Sequence, residues 1–225
     1  MQKSVFEWQG QEFVALSDEA RSGGSAHDQT RDIFERMDLE LRKEEVSLIG
    51  TVRTRLWARD ADARTRGSRA RVEMLANDAR AASSSYVDAS HFETNASIAV
   101  DLIAMKPASG LTKALTEYDP AQVPLRYAIY GPLVYLSGVT SDKATLAEQA
   151  SDILGRIGES LVAAGSSWEQ ATKVSFYLQR DESQDEMAKL FAAAVTAPNA
   201  EVEYASVDAF AGPDARVEIE VTATV

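Results

Sequence analysis

The sequence predicts an α+β fold laid down twice. Strand-like runs alternate with amphipathic helical stretches, the same short patterns return about 120 residues later, and a Pro- and Gly-containing segment separates the two sets. Phe13-Val14-Ala15-Leu16-Ser17-Asp18 returns as Leu133-Val134-Tyr135-Leu136-Ser137-Gly138, at an offset of 120. Residues 52–60 return as 174–181, at an offset of 121 at the closing Asp, and residues 100–104 return as 219–223, at an offset of 119. With 225 residues, the chain accommodates two modules of ordinary domain size.

In the first module, residues 5–8, a Gln9-Gly10 turn and residues 12–16 read as a hairpin. Residues 28–43 place Ile33, Phe34, Met37 and Leu41 at helical spacing, with Asp28 as the expected N-cap. Residues 48–56 read as a strand, 61–79 as an Ala/Arg-rich helix, and 86–90 and 98–105 as closing strands. In the second module, residues 133–136 form a strand and 145–164 a long helix with Leu146, Ile153, Leu154, Ile157 and Leu161 on one face. Gly165 follows as the residue that ends it. A strand at 172–178, a helix at 184–195 and a strand at 217–224 complete the copy. Residues 106–124 hold three prolines and a glycine, so the modules are expected at 1–107 and 124–225, with a linker at 108–123. Each is read as a mixed sheet with helices on one face.

Composition narrows the function. The formal net charge is −12. Residues 113–225 carry 8 basic and 17 acidic groups, so the acidity is concentrated in the second copy. Such a surface repels phosphate backbones, and no nucleic-acid partner is expected. The absence of cysteine excludes disulfides, thiol nucleophiles and thiolate metal sites and fits a reducing, cytoplasmic setting. The N-terminus lacks the apolar core of a signal peptide, and the longest apolar run, 127–139, is too short and too interrupted to span a membrane. Gly23-Gly24 is too short a pattern for a phosphate loop and reads as a flexible loop. The carboxylates are scattered, so no metal site is expected, and with no phosphate loop or dinucleotide glycine fingerprint no other cofactor is expected.

Three features are candidates for chemistry. Ser137-Gly138 ends an apolar strand, where a missing side chain lets backbone N–H groups approach an oxyanion or a carboxylate; the competing reading is an ordinary turn. Glu218 and Glu220 are two apart on the last strand and share a face. Their counterparts in the first copy are Ala99 and Asp101, so Glu218 is the unmatched carboxylate. A partly desolvated Glu218 would serve as general acid or base, and an exposed one would be mere surface. His27 and His91 are the only histidines, and no nucleophile-elbow pattern accompanies either.

The second copy resembles the Rid/YjgF family. The likeness runs through Pro124-Leu125-Arg126-Tyr127-Ala128, Gly131 to Gly138, Glu148-Gln149, Leu161 to Gly165, Val174 to Asp181 and the ending Val217-Glu218-Ile219-Glu220-Val221-Thr222-Ala223. The first copy resembles it more weakly, through 52–60, 83–88 and 100–107. The resemblance implies chorismate-mutase-like modules that assemble in threefold, barrel-like oligomers with clefts between neighbouring modules. For this chain the simplest closed guess is a homotrimer. It also implies hydrolysis of small imines or enamines, or related proton transfer on unsaturated and aromatic-pathway compounds, without metal or cofactor. A metabolite-binding module without turnover is the alternative.

The family arginine that pairs with a substrate carboxylate is missing. The stretch reads Pro198-Asn199-Ala200-Glu201-Val202-Glu203, and in the first copy Ala82-Ser83-Ser84-Ser85-Tyr86. The resemblance leaves Glu218, Ser137 and Gly138 as candidate catalytic residues. Arg126 and Tyr127 are expected to bind substrate, with Ser84, Tyr86 and His91 walling the cleft from the first copy.

Overall fold

The computed structural model describes residues 1–21, 23–197 and 199–225. Ser22, in the loop with Gly23-Gly24, and Pro198, which opens the stretch lacking the arginine, lie outside the described residues.

The first sheet contains β1 (Gln2–Trp8), β2 (Gln11–Glu19), β3 (Thr51–Ala58), β4 (Ala82–Val87) and β5 (Ile98–Met105), in the order β1-β2-β5-β3-β4. The second contains β6 (Ala114–Thr116), β7 (Tyr127–Tyr130), β8 (Leu133–Leu136), β9 (Val139–Thr140), β10 (Ala171–Gln179), β11 (Glu201–Val207) and β12 (Val217–Thr224). Its order is β11-β10-β12-β8-β7-β6, with β9 against β12. In both, a parallel pair, β3 with β4 and β10 with β11, flanks a closing antiparallel strand. Even the irregularity repeats, since the register shifts at Thr51/Arg53 and at Ala171/Lys173. The strand β6 falls inside the segment expected as linker and pairs antiparallel with β7.

Helices α1 (Ala26–Arg42) and α2 (Ala61–Met74) cover one face of the first sheet, and α3 (Leu146–Ala163) and α4 (Gln184–Ala194) one face of the second. Ile33, Phe34, Met37 and Leu41 are buried on α1, as their spacing predicts. The helix starts earlier than expected. Ser25 is the N-cap, its hydroxyl accepting from the Asp28 N–H while the Asp28 carboxylate accepts from the Ser25 N–H. Asp28 is thus the third residue of a capping box. Helix α2 stops at Met74 rather than at 79, because Leu75 leaves helical geometry and Asn77 takes a left-handed conformation (φ 53°).

Alternation decides what the open faces carry. On β12, Val217, Ile219, Val221 and Ala223 enter the helix-side core, so Glu218, Glu220 and Thr222 face the other way. The two open faces meet within one chain. One apolar cluster joins Phe13, Val52, Ala82 and Met105 to Tyr130, Leu133 and Tyr135, and a second joins Trp57, Tyr86 and Ala99 to Tyr177, Val207, Phe210 and Ala215. Between them Arg55 donates to Glu220 through Nε (3.0 Å to Oε2) and Nη2 (2.7 Å), and Arg53 Nη1 lies 2.8 Å from Glu220 Oε2. Arg53 Nη2 also donates to the Leu136 and Val221 carbonyls at 3.2 and 3.1 Å. A buried carboxylate met by two guanidinium groups is a costly arrangement unless fully satisfied, and here it ties the modules together.

Candidate active site

The middle of this contact opens into a cleft of about 300 Å³ with walls from both modules. Helix α2 contributes Arg64, Ser68 and Arg71, and β4 contributes Ser83, Ser84 and Ser85. The segment before β7 supplies Tyr118 and Gln122 to Pro124, and the second module adds Gly138, Thr140, Arg156, Ala211 and Glu218.

Glu218 lies in this cleft, paired in register with Tyr177 on one side and Thr140 on the other. Its Oε1 is buried and makes no hydrogen bond among the described residues, and the same is true of Ser84 Oγ beside it. Buried polar atoms are usually paired in folded proteins, and these two leave hydrogen-bonding capacity in the cleft beyond their own weak approach to each other. Burial pushes the Glu218 carboxyl up and neighbouring Glu220 adds to the effect, while the Ser84 and Tyr86 hydroxyls and Arg71 pull back only in part. The result is about 8, so the carboxyl holds its proton at neutral pH. For Glu220, burial acts in the same direction but is outweighed by Arg55 and Arg53, which hold it at about 2.

Ser137 and Gly138 do not form the expected anion nest. The Gly138 N–H donates to the Ser83 carbonyl (3.3 Å), and Ser137 Oγ accepts from the Ser83 N–H (3.2 Å). Both groups are spent on joining β4 to the second module. Gly138 matters through its missing side chain instead. A Cβ there would stand 2.5 Å from Ser84 Oγ and inside the van der Waals envelope of Glu218 Oε1.

Arg126 and Tyr127 do not reach the cleft. Arg126 Nε donates to Ser160 Oγ on α3 (2.9 Å), and the Tyr127 hydroxyl to the Ala163 carbonyl (3.2 Å). Both are turned to the helix side, where Tyr127 joins the second core. Tyr86 is fully buried between the modules, stacked on Tyr177 (4.1 Å between centroids), and donates to Glu220 Oε1 (2.9 Å). It thus supports the charged pair rather than lining the cleft. His91 stacks on Trp57 (4.1 Å) outside the cleft, and burial lowers its pKa. Of the sequence candidates, Glu218, Gly138 and Ser84 come together.

The cationic lining was missed. Arg64, Ser68 and Arg71 recur at helical spacing, a signal present in the sequence as one face of α2. Arg71 is spent on the wall, donating to the Ser84 carbonyl and to Ser85 Oγ, and burial lowers it only to about 10, so it stays charged. Arg156 donates to the Thr140 carbonyl (2.8 Å). Arg64 is different, because its buried Nε has no hydrogen-bond partner among the described residues. In a chain of net charge −12, this cleft has three guanidinium groups and a carboxyl that is neutral at pH 7. Among the described residues, no group of three or more His, Asp or Glu could hold a metal ion, and no helix is long and apolar enough to cross a membrane.

Comparison with known proteins agrees with this architecture. A chorismatase crystal structure superposes on 98% of this chain and 79% of its own, with a TM-score of 0.70 at 16% identity, a likeness of fold that extends over both modules. A YjgF-family protein from Mycobacterium tuberculosis is 25% identical over 51% of this chain and 100% of its own (TM-score 0.46). A YjgF-family protein from Neisseria meningitidis is 28% identical over 50% of this chain and 93% of its own (TM-score 0.43). No curated protein matches the chain. Residues 116–225 match the family described as Endoribonuclease L-PSP, which leaves the first module outside the match. The chain therefore repeats one α+β architecture, and its second module is similar to the family described as Endoribonuclease L-PSP, in line with the Rid/YjgF resemblance of the sequence.

Proposed function

We propose that the chain is a Rid-like enzyme in which Glu218 transfers a proton to and from a small unsaturated substrate, an enamine or imine being the simplest case. The observation that carries this is the buried Glu218 with a bare Oε1 in an arginine-lined cleft, where burial pushes its carboxyl up to about 8. A carboxyl of this kind is an acid at neutral pH. It would protonate the β-carbon of an enamine, leaving an iminium ion and a Glu218 carboxylate. Water would then add to the iminium carbon and return a proton to that carboxylate. Collapse of the carbinolamine releases ketone and ammonia, so one water is consumed and Glu218 ends as it began. Ser84 Oγ, bare and adjacent, would hold the attacking water or the leaving nitrogen.

Arg64 takes the part that the sequence assigned to Arg126. Its unpartnered Nε supports pairing with an anionic group on the substrate, so the missing family arginine no longer argues against a carboxylate. The family description names a ribonuclease, but a net charge of −12 and a cleft of about 300 Å³ favour a small molecule over a phosphate backbone. Both walls of this cleft come from one chain, so its completion does not require the trimer that the resemblance implies.

The test is ammonia release from freshly generated enamines and imines, with and without a carboxylate, by the native protein and Glu218→Gln. Turnover that falls at least a hundredfold in the variant supports the reading. Turnover unaffected by the variant would refute it, and binding without turnover by the native protein would replace it with the metabolite-binding alternative.

A further inference from the structure

A second chamber, of about 470 Å³, lies against the Glu218 cleft. The two share Arg71, Ser83, Gln122, Val123 and Pro124, so they meet along one partition. One side of that partition is buried (Arg71, Ser83), whereas Gln122 and Val123 on the other side are exposed side chains, free to turn aside at little cost in packing. The chamber is chemically unlike the cleft. Its charged groups are paired off, Arg71 with Ser84 and Ser85 and Arg80 with Glu117. What remains is an apolar surface of Val72, Leu75, Ala81, Ala121, Val123 and Leu125. Val72 and Val123 stay 46% and 70% exposed, apolar surface that folding alone does not cover.

We propose that cleft and chamber are the two halves of one site, and that the ligand is an amphiphile whose anionic, unsaturated head lies at Arg64 and Glu218 and whose apolar extension fills the chamber. This rests on the reading of the cleft given above and narrows its substrate class from small imines to compounds with an alkyl or aryl extension. The occupant is argued from continuity, since an apolar room that opens beside a polar, cationic one is matched by a molecule with both characters. The combined size lies within the range of ordinary ligand pockets.

The test is calorimetric binding of butanoate, hexanoate and octanoate to the full chain, which requires no turnover. Affinity should rise by roughly fourfold per methylene that enters the chamber. Val72→Trp and Ala121→Leu, which fill the chamber alone from exposed positions, should each flatten that rise and leave butanoate unchanged. Arg64→Ala should weaken all three acids by a similar factor. An affinity that does not change with chain length, or a rise that survives both filled variants, overturns the proposal. If the rise holds but no imine or enamine is turned over, the catalytic reading fails and the two-part site stands. If small imines are turned over and the rise is absent, the reverse follows.

Discussion

Glu218 and Glu220 lie two residues apart on β12, both buried on the face between the modules, and their surroundings drive their pKa values in opposite directions. Glu220 meets Arg53 and Arg55 and is held at about 2, while Glu218 meets only hydroxyls and a wall-bound arginine and is pushed up to about 8. Neighbouring carboxyls whose surroundings drive them apart are the arrangement that separates a fixed charge from a transferable proton.

Stability should follow pH in two directions. The folded-state value of Glu218 lies above the ordinary 4.5, so its contribution is complete below pH 4.5 and is lost as pH rises through 8. Glu220 is depressed, so its contribution is present above pH 4.5 and is lost as pH falls through 2. Thermal melts should show the native Tm falling by several degrees as pH rises from 4.5 to 8, and Glu218→Gln should remove most of that fall. Parallel Tm curves for the two proteins would contradict this.

Gly138→Ala places a methyl group against Glu218 Oε1 and Ser84 Oγ. Urea unfolding should show a loss of about 1–3 kcal/mol from overpacking. Activity should fall further than stability, because the displaced groups are the proposed reacting ones. Gly155→Ala is the control. Nothing lies within 4 Å of a Cβ there, and in mid-helix it should stabilise by about 0.5–1 kcal/mol.

Removing the partner of a buried charge costs more than a neutral contact is worth. Glu220→Ala leaves Arg53 and Arg55 facing each other across the module contact, and should destabilise by about 3–5 kcal/mol. Salt should restore little of it, because Arg53 is buried and the pair is poorly screened.

Arg64→Ala and Arg126→Ala should separate cleanly. With a carboxylate-bearing substrate, Arg64→Ala should raise KM by roughly tenfold or more, the loss of a charge-assisted pair. Arg126→Ala should leave KM unchanged, since its guanidinium donates to Ser160 on the far side of β7.

The repeat was legible because strands and helices imprint local periods, and the pairing of Arg55 with Asp101 matches that of Ser175 with Glu220. So was the singularity of Glu218, whose place in the first copy is held by Ala99, paired with Trp57 as Glu218 is with Tyr177. The roles of Arg126 and of the Ser137-Gly138 backbone were not legible. Both turn on which group lies opposite, and Ser83 and Ser160 are 54 and 34 residues distant from Ser137 and Arg126 respectively. The face carrying Arg64 and Arg71 was visible as a helical spacing, but only the meeting of the two modules at one cleft gives it a carboxyl to face.

The central claim is that Glu218 is a neutral acid in the resting protein. Carboxyl carbon NMR of protein labelled at glutamate, with Glu218→Gln to identify the resonance, measures it directly. The account predicts a carboxyl that remains protonated at pH 7 and titrates near 8. A Glu218 resonance that titrates near the ordinary 4.5 would contradict it, and with it the proposed route of the proton.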